Sequence, residues 1–349
     1  MSTYNHLLEL TRGEIVESVH SGAIAVVDVH GKLVAWHGDP QIVTYLRSSA
    51  KPFQALPFLE HGGQAAYGLT EREIALICAS HSGTEEHVAL VRQIQAKTGV
   101  LENDLLCGTH NPYHRPTAEA MRQRGEKPTP NRHNCSGKHT GMIAHARLHN
   151  LPYADYIDPA HPIQQEILQI FAEMCAIEVQ QVQVGIDGCS APNFAVPLYN
   201  AALGMARLLQ PDALPSARAD QCNVVTAAMF GHPDMVGGPD AFDTHLMQQT
   251  GGRILAKSGA EGYLVLGIAA GGSGLVGSGS GALGVAIKVA DGDLRGSVRP
   301  AVALEILRQL DAITTQELDA LSAYGPQFAL YNWRRLRIGE AHACFELQR

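Results

Sequence analysis

The sequence predicts a mixed α/β protein with a largely antiparallel sheet flanked by helices and interrupted by a helical insert. Three observations carry this. β-Branched runs joined by tight turns occupy the N-terminal residues through Trp36. Capping boxes and helical periodicity take over in the middle of the chain, and strands with glycine-rich turns return after Gly252. Strands at both ends around a helical middle fit one discontinuous sheet domain, 1–60 with 251–349, and a mainly helical insert, 61–250. The hairpin-type joints favour antiparallel pairing, because parallel strands need long crossovers.

Taken in order, 13–37 read as strands: Ala23–Asp28 run forward, His30-Gly31 turn, and Lys32–Trp36 return. From Ser48 to about Glu60 the pattern turns helical. Thr70-Glu-Arg-Glu73 is a capping box opening a helix through Ile77. Ser82-Gly-Thr-Glu85 opens another, with Val88, Leu90, Val91 and Ile94 on one face. Further helices are expected after Gly137 and over Pro162 to Met174. Ile254–Ser258, Gly262–Ala269 and Gly284–Val289 read as strands, with a last pair at Phe328–Arg335 and His342–Leu347 around a helix over 300–321.

Composition removes several function classes. At 349 residues, with 45% apolar and 17% charged, the chain has ample core material for one large unit or two intimate domains. The net charge of −8 comes without any lysine or arginine cluster beyond Arg334-Arg335, so a nucleic-acid partner is not expected. No basic segment precedes an apolar run at the N-terminus, and the longest apolar run, Tyr263 to Ala270, is too short for a bilayer. Seven cysteines, an odd count, point to reduced, buried or chemically employed thiols and a cytoplasmic location.

Five segments could carry chemistry. In Arg47-Ser48-Ser49-Ala50-Lys51, a Ser48 at the helix N-cap would place Lys51 one turn on, on the same face. A serine needs a base to become a nucleophile. A lysine is a base only when neutral, which burial and a helix N-terminus both favour. Ser49 has the wrong spacing, leaving Ser48. Lys257-Ser258-Gly259 follows a strand and is similar to the KTG element that accompanies SxxK in penicillin-recognising enzymes. Ser80 and His81 precede a helix start, where free amides favour anions. Cys135 and Lys138, and separately Asp187 and Cys189, sit in glycine-containing loops. Cys135, Lys138 and Cys189 are donors a soft metal such as zinc would accept.

Together these segments resemble the asparaginase II family, the rhizobial-type L-asparaginases. The matching pieces are RSSAKPFQALP (47–57), CASHSGTEEHV (78–88), HNCSGKHTGM (133–142), DGCSAPNFAVPL (187–198), HPDMVGGPDAFDTHLM (232–247), KSGAEGY (257–263) and GVAIKVADGD (284–293). The resemblance implies a serine β-lactamase/glutaminase-like fold, a homodimer, and hydrolysis of L-asparagine to aspartate and ammonia through an acyl-enzyme. It implies two catalytic pairs, Ser48 with Lys51 and Ser80 with Lys257, and zinc at Cys135, Lys138 and Cys189. Arg47, His81, His139 and Asp187 would contact substrate or lie close by. The tail departs from the family at Asn332-Trp-Arg-Arg-Leu-Arg, away from these segments.

Three rivals stand beside this reading. Gly272-Ser-Gly274-Leu-Val-Gly277 and Gly279-Ser-Gly281-Ala-Leu-Gly284 fit GxGxxG, but Gly284 leads into a strand where a nucleotide site needs a helix. An SxxK hydrolase could act on glutamine, a β-lactam or another amide. A non-catalytic amino-acid binder would bind without turnover.

Overall fold

The computed structural model describes residues 4–274 and 281–349. Both GxGxxG matches fall partly on the intervening residues outside that description. Two compact units share the chain: Met1–Arg47, Val196–Gln210 and Leu246–Arg349 form a sheet unit, and Ser48–Ala195 with Pro211–His245 form a helical unit.

The chain opens with β1 (Asn5–Arg12), β2 (Ile15–Asp28), β3 (Leu33–His37) and β4 (Val43–Tyr45). It then runs through α1 (Lys51–Glu60), α2 (Gly63–Tyr67), α3 (Glu71–Ile77), α4 (Glu85–Thr98), α5 (Arg115–Arg124), α6 (Ser136–Leu148) and α7 (Pro162–Met174). A short hairpin, β5 (Gln183–Ile186) and β6 (Pro192–Pro197), leads to α8 (Leu198–Leu209), α9 (Ser216–Gly231), α10 (Pro233–Val236) and α11 (Phe242–Gln249). The last elements are β7 (Ile254–Ser258), β8 (Tyr263–Ile268), β9 (Leu283–Val289), α12 (Val298–Gln309), α13 (Thr315–Ala320), β10 (Gln327–Tyr331) and β11 (Arg337–Ala343).

In the sheet unit the strand order is β10-β11-β1-β2-β9-β8-β7, with β3 also pairing β2. The pairings are antiparallel, as the hairpin-rich sequence predicts. β2 serves two partners on one edge: 15–22 pair with β1, and 24–27 pair with β3. Its burial changes at the same point, from exposed over Ile15–Val19 to buried over Gly22–Val27. Every residue of β8 is buried, so both faces of the central sheet are covered. α8 lies directly on it. A Cβ built on Gly284 would meet Ala202 O at 1.7 Å, and one on Gly267 would meet Leu209 Cδ1 at 2.5 Å. These two glycines are register partners and together make the groove that admits the helix.

In the helical unit, α7 presents Ile163, Ile167, Ile170, Phe171 and Met174 as its buried stripe. Phe171 packs edge-on against Phe53 of α1 at 5.9 Å and against Phe194 at 4.8 Å. Arg218 of α9 ties these helices at their ends, pairing with Glu60 of α1 and, at 3.2 Å, with Glu173. The Thr70 capping box forms as expected, with Glu73 Oε2 accepting from Thr70 N at 2.7 Å.

Several boundaries differ from the sequence reading. Thr84, not Ser82, caps α4, because its hydroxyl accepts from His87 N and His87 returns the bond. The terminal strand pair is β10 and β11, several residues earlier than the hydrophobic runs suggested, with Asn332–Arg335 forming the turn. The helix expected over 300–321 is two, α12 and α13, the second opened by its own Thr314–Glu317 capping box.

Gly284→Ala should force α8 off β9, costing about 1–3 kcal/mol through overpacking against backbone that cannot yield. A melting temperature lowered by several degrees is expected. An unchanged melting temperature would contradict the close approach.

Candidate active site

Ser48 does not cap an α-helix, as the sequence reading had it. It lies in a 3-10 turn, Arg47–Ala50, and α1 starts at Lys51 with Ala50 as its N-cap. The turn is entered through Arg47 at φ 53, a strained left-handed conformation for a non-glycine residue. Lys51 follows that turn directly as the first residue of α1. Pro52 occupies the first turn of α1, where its missing N–H has no acceptor to disappoint.

Three further segments of the helical unit converge on this turn. Lys51 is 1% exposed, and its Nζ donates to Ala79 O at 2.6 Å and Asn134 O at 3.3 Å. Asn134 Nδ2 donates to Ser80 Oγ at 2.9 Å, and Ser80 Oγ donates to Ser48 Oγ at 3.3 Å. An amide NH₂ can only donate, so it sets the direction of the relay. Ser80 spends its proton on Ser48, which leaves the Ser48 proton free for another acceptor. The Ser80 amide N–H donates to Val236 O at 2.9 Å. It is therefore not free to stabilise an oxyanion. Asn134 escaped the sequence reading, although it sits beside Cys135 in a segment already singled out. Nothing in its spacing marks it, because its partners are 54 and 83 residues away.

A second cluster forms where the β5–β6 hairpin meets the start of α6. Ser190 at φ 70 closes the turn, its N–H bonded to Asp187 O at 2.9 Å, and Cys189 is carried inward to 2% exposure. Lys138 Nζ donates to Cys189 Sγ at 3.1 Å. The hydrogen bond from Cys135, the Lys138 ammonium and His139 hold the Cys189 thiol well below the usual thiol range despite burial. Cys135 is pushed well above that range by sharing its proton with Cys189 and by burial. Burial opposes charge on Lys138, but Cys189, Cys135 and Asp187 outweigh it and raise its pKa. The cluster thus shifts Cys189 toward thiolate and Lys138 toward ammonium, with Cys135 shifted toward thiol. Gly137 makes the placement possible, since a Cβ there would lie 2.3 Å from Leu76 O on α3.

The remaining expected residues are placed as follows. His139 is fully buried, with Nδ1 bonded to Tyr156 Oη at 2.5 Å and Nε2 facing no hydrogen-bond partner. Burial lowers its pKa, against the opposing effect of Cys189. His81 is also fully buried. Its Nδ1 accepts from Gly83 N at 3.2 Å and its Nε2 bonds Ser136 Oγ at 2.9 Å, which pins the 78–84 loop to α6. Gly238, at φ 117, lets the 232–240 segment close over that loop, where a Cβ would lie 2.0 Å from Ser82 Oγ. Asp187 Oδ2 lies 3.9 Å from Cys189 Sγ. In the sheet unit, Lys257 is 1% exposed with Nζ donating to Ser258 O at 2.9 Å, and Arg47 lies 3.8 Å from Glu261. All seven cysteines are outside any disulfide, and six are buried. Among the described residues, no helix is long and apolar enough to cross a membrane.

Among curated proteins none matches this chain. Among solved structures, a probable glutaminase of Bacillus subtilis is similar at 12% identity and a TM-score of 0.38, over 83% of this chain and 88% of that one. A Bacillus glutaminase, with a crystal structure determined in the presence of 4.3 M NaCl, is similar at 12% identity and a TM-score of 0.37, over 83% and 91%. A family model described as L-asparaginase II matches residues 8–343. With a match over nearly its whole length, this chain belongs to the L-asparaginase II family of amidohydrolases.

Proposed function

We propose that the chain hydrolyses L-asparagine to aspartate and ammonia, with Ser48 as nucleophile and Lys51 as its base. The observation that supports this best is the Asn134–Ser80–Ser48 relay beside the buried Lys51 amine. Ser48 Oγ attacks the side-chain amide carbon while Lys51 takes its proton. The tetrahedral intermediate expels ammonia as Lys51 returns the proton to the leaving nitrogen. Water then adds to the aspartyl ester, Lys51 again taking a proton, and the ester C–O bond breaks to restore the Ser48 hydroxyl. Ser80 orients Ser48, and Asn134 orients Ser80. The resemblance alone assigns Lys257 to work with Ser80, and Arg47, His81, His139 and Asp187 to the surroundings of the substrate.

Cys135, Lys138 and Cys189 would hold a zinc ion. Two sulfurs and an amine already collected around one shared proton suit a borderline-soft cation, and the unpartnered His139 Nε2 lies at the same cluster. Bound there, zinc would brace the site or orient substrate, since the serine supplies the nucleophile. A homodimer and a cytoplasmic location belong to the same proposal.

Ser48→Ala should lower kcat on the order of 10⁴-fold with the fold intact. Ammonia release near the native rate would sink the assignment. Asn134→Ala removes one donor from the relay and should cost on the order of 10- to 100-fold in kcat, the worth of a hydrogen bond of about 1.5–3 kcal/mol. Native turnover in that variant would detach Asn134 from the chemistry. Ammonia assays on asparagine and glutamine, with turnover of a chromogenic β-lactam, separate the asparaginase reading from its SxxK alternatives. Binding of asparagine without ammonia would favour a non-catalytic role. Cys189→Ala should abolish zinc uptake at the cysteine cluster. In the native protein, zinc affinity should fall as pH falls, because Cys135 and Lys138 must each lose a proton to ligate. Zinc binding indifferent to pH between 6 and 8, roughly, would contradict that ligand set.

A further inference from the structure

Away from that site, three imidazoles and a carboxylate converge on one face of the helical unit. His61 is the C-cap of α1, His145 and His149 are one turn apart at the end of α6, and Glu166 lies on α7. One ligating nitrogen from each histidine lies within 4.8 Å of the other two. The Glu166 carboxylate completes the group, with Oε1 2.5 Å from His61 Nε2 and Oε2 3.4 Å from His145 Nε2.

We propose that His61, His145, His149 and Glu166 form a second metal site, one that takes a divalent transition-metal ion such as zinc through imidazole nitrogen and carboxylate oxygen. Histidines at i and i+4 on a helix project to the same side, which is the spacing that lets two imidazoles share one ion. A simple surface ion pair accounts for only part of the arrangement. It explains His61 with Glu166, but not the third imidazole, His149, packed ring to ring with the other two. The His61 ring lies 4.3 Å from His149, and His149 lies 5.1 Å from His145.

His145 is the decisive member. Its side chain is 1% exposed, and Nε2 is buried with no hydrogen-bond partner, an uncompensated polar atom that normally costs stability. Burial, then the neighbouring His149, His61 and His161, push its pKa down to about 3. A buried imidazole nitrogen facing the group is the kind of donor a metal requires. Tetrahedral zinc with bonds near 2.0–2.1 Å needs donors about 3.3 Å apart. The group must close by roughly an ångström. His61 and His149 are exposed and sit at helix ends, so they can rotate onto the ion while buried His145 stays fixed. An ion there would clamp α1, α6 and α7. Two of those helices begin at the residues described above, Lys51 on α1 and Cys135 with Lys138 on α6.

The test uses the full chain, stripped of metal and titrated with Co²⁺ and with Zn²⁺. The native protein should bind Co²⁺ at a site giving visible d–d absorption without thiolate charge transfer. The exposed pair His61→Ala/His149→Ala should lose that band and one equivalent of Zn²⁺, while circular dichroism stays native. Glu166→Gln should weaken the same site about tenfold or more. The reading is independent of the cysteine cluster. If Cys135 and Cys189 bind nothing, the histidine site still takes up one equivalent, and the double histidine variant takes up none. Equal stoichiometry and identical spectra for the native and double-variant proteins would overturn the proposal. So would metal uptake that Cys189→Ala alone removes entirely.

Discussion

The buried amine of Lys51 is the interaction on which the candidate site depends. Removed from water, it must spend its protons on protein acceptors, and it does so on the carbonyls of Ala79 and Asn134. Those bonds hold the α3–α4 loop and the segment before α6 against the start of α1. Ser80 follows Ala79, and the Asn134 side chain follows its own carbonyl, so the same two bonds bring Ser80 within reach of Ser48. A lysine in solvent would satisfy itself with water and leave these segments unconnected. Its burial makes the polar network obligatory.

The cysteine cluster obeys the same logic with sulfur in place of carbonyl oxygen. Lys138 is buried, and Cys189 beside it favours the charged amine while the lysine in turn lowers the Cys189 pKa. Cys135 retains a proton and donates it to the pair. α6 can deliver Cys135 and Lys138 there only because Gly137 lets the helix start touch the end of α3. The histidine group at the far end of α6 is a contrast. There a buried imidazole, His145, has no hydrogen-bond partner for its Nε2, and the Glu166 carboxylate lies 3.4 Å from that nitrogen. One helix therefore carries two clusters of metal-ligating side chains, a soft one at its N-terminus and an imidazole one at its C-terminus.

Much of the architecture was legible because it is local. The Thr70-Glu-Arg-Glu73 box, the α7 stripe and the β7 and β8 strands are set by neighbours in sequence, and they form close to where the sequence places them. Errors arose where two local solutions compete. Both Ser82 and Thr84 are good caps, and the choice fell to Thr84 because His87 could reciprocate. Ser48 lies in a 3-10 turn, and α1 begins only at Lys51, with Ala50 an N-cap that supplies no side-chain bond.

By itself the sequence determined the fold class, the spacing of Ser48 with Lys51, the cysteine and lysine set, and, through its motifs, the family. These are matters of residue type and short-range order. Tertiary structure alone decided that Asn134 drives the Ser80–Ser48 relay, that the Ser80 amide is spent on Val236, and that His61 meets His145, His149 and Glu166. The physical reason is separation along the chain. Such contacts join residues dozens of positions apart, and only packing of the helices, with glycines where backbones touch, brings their polar atoms into register.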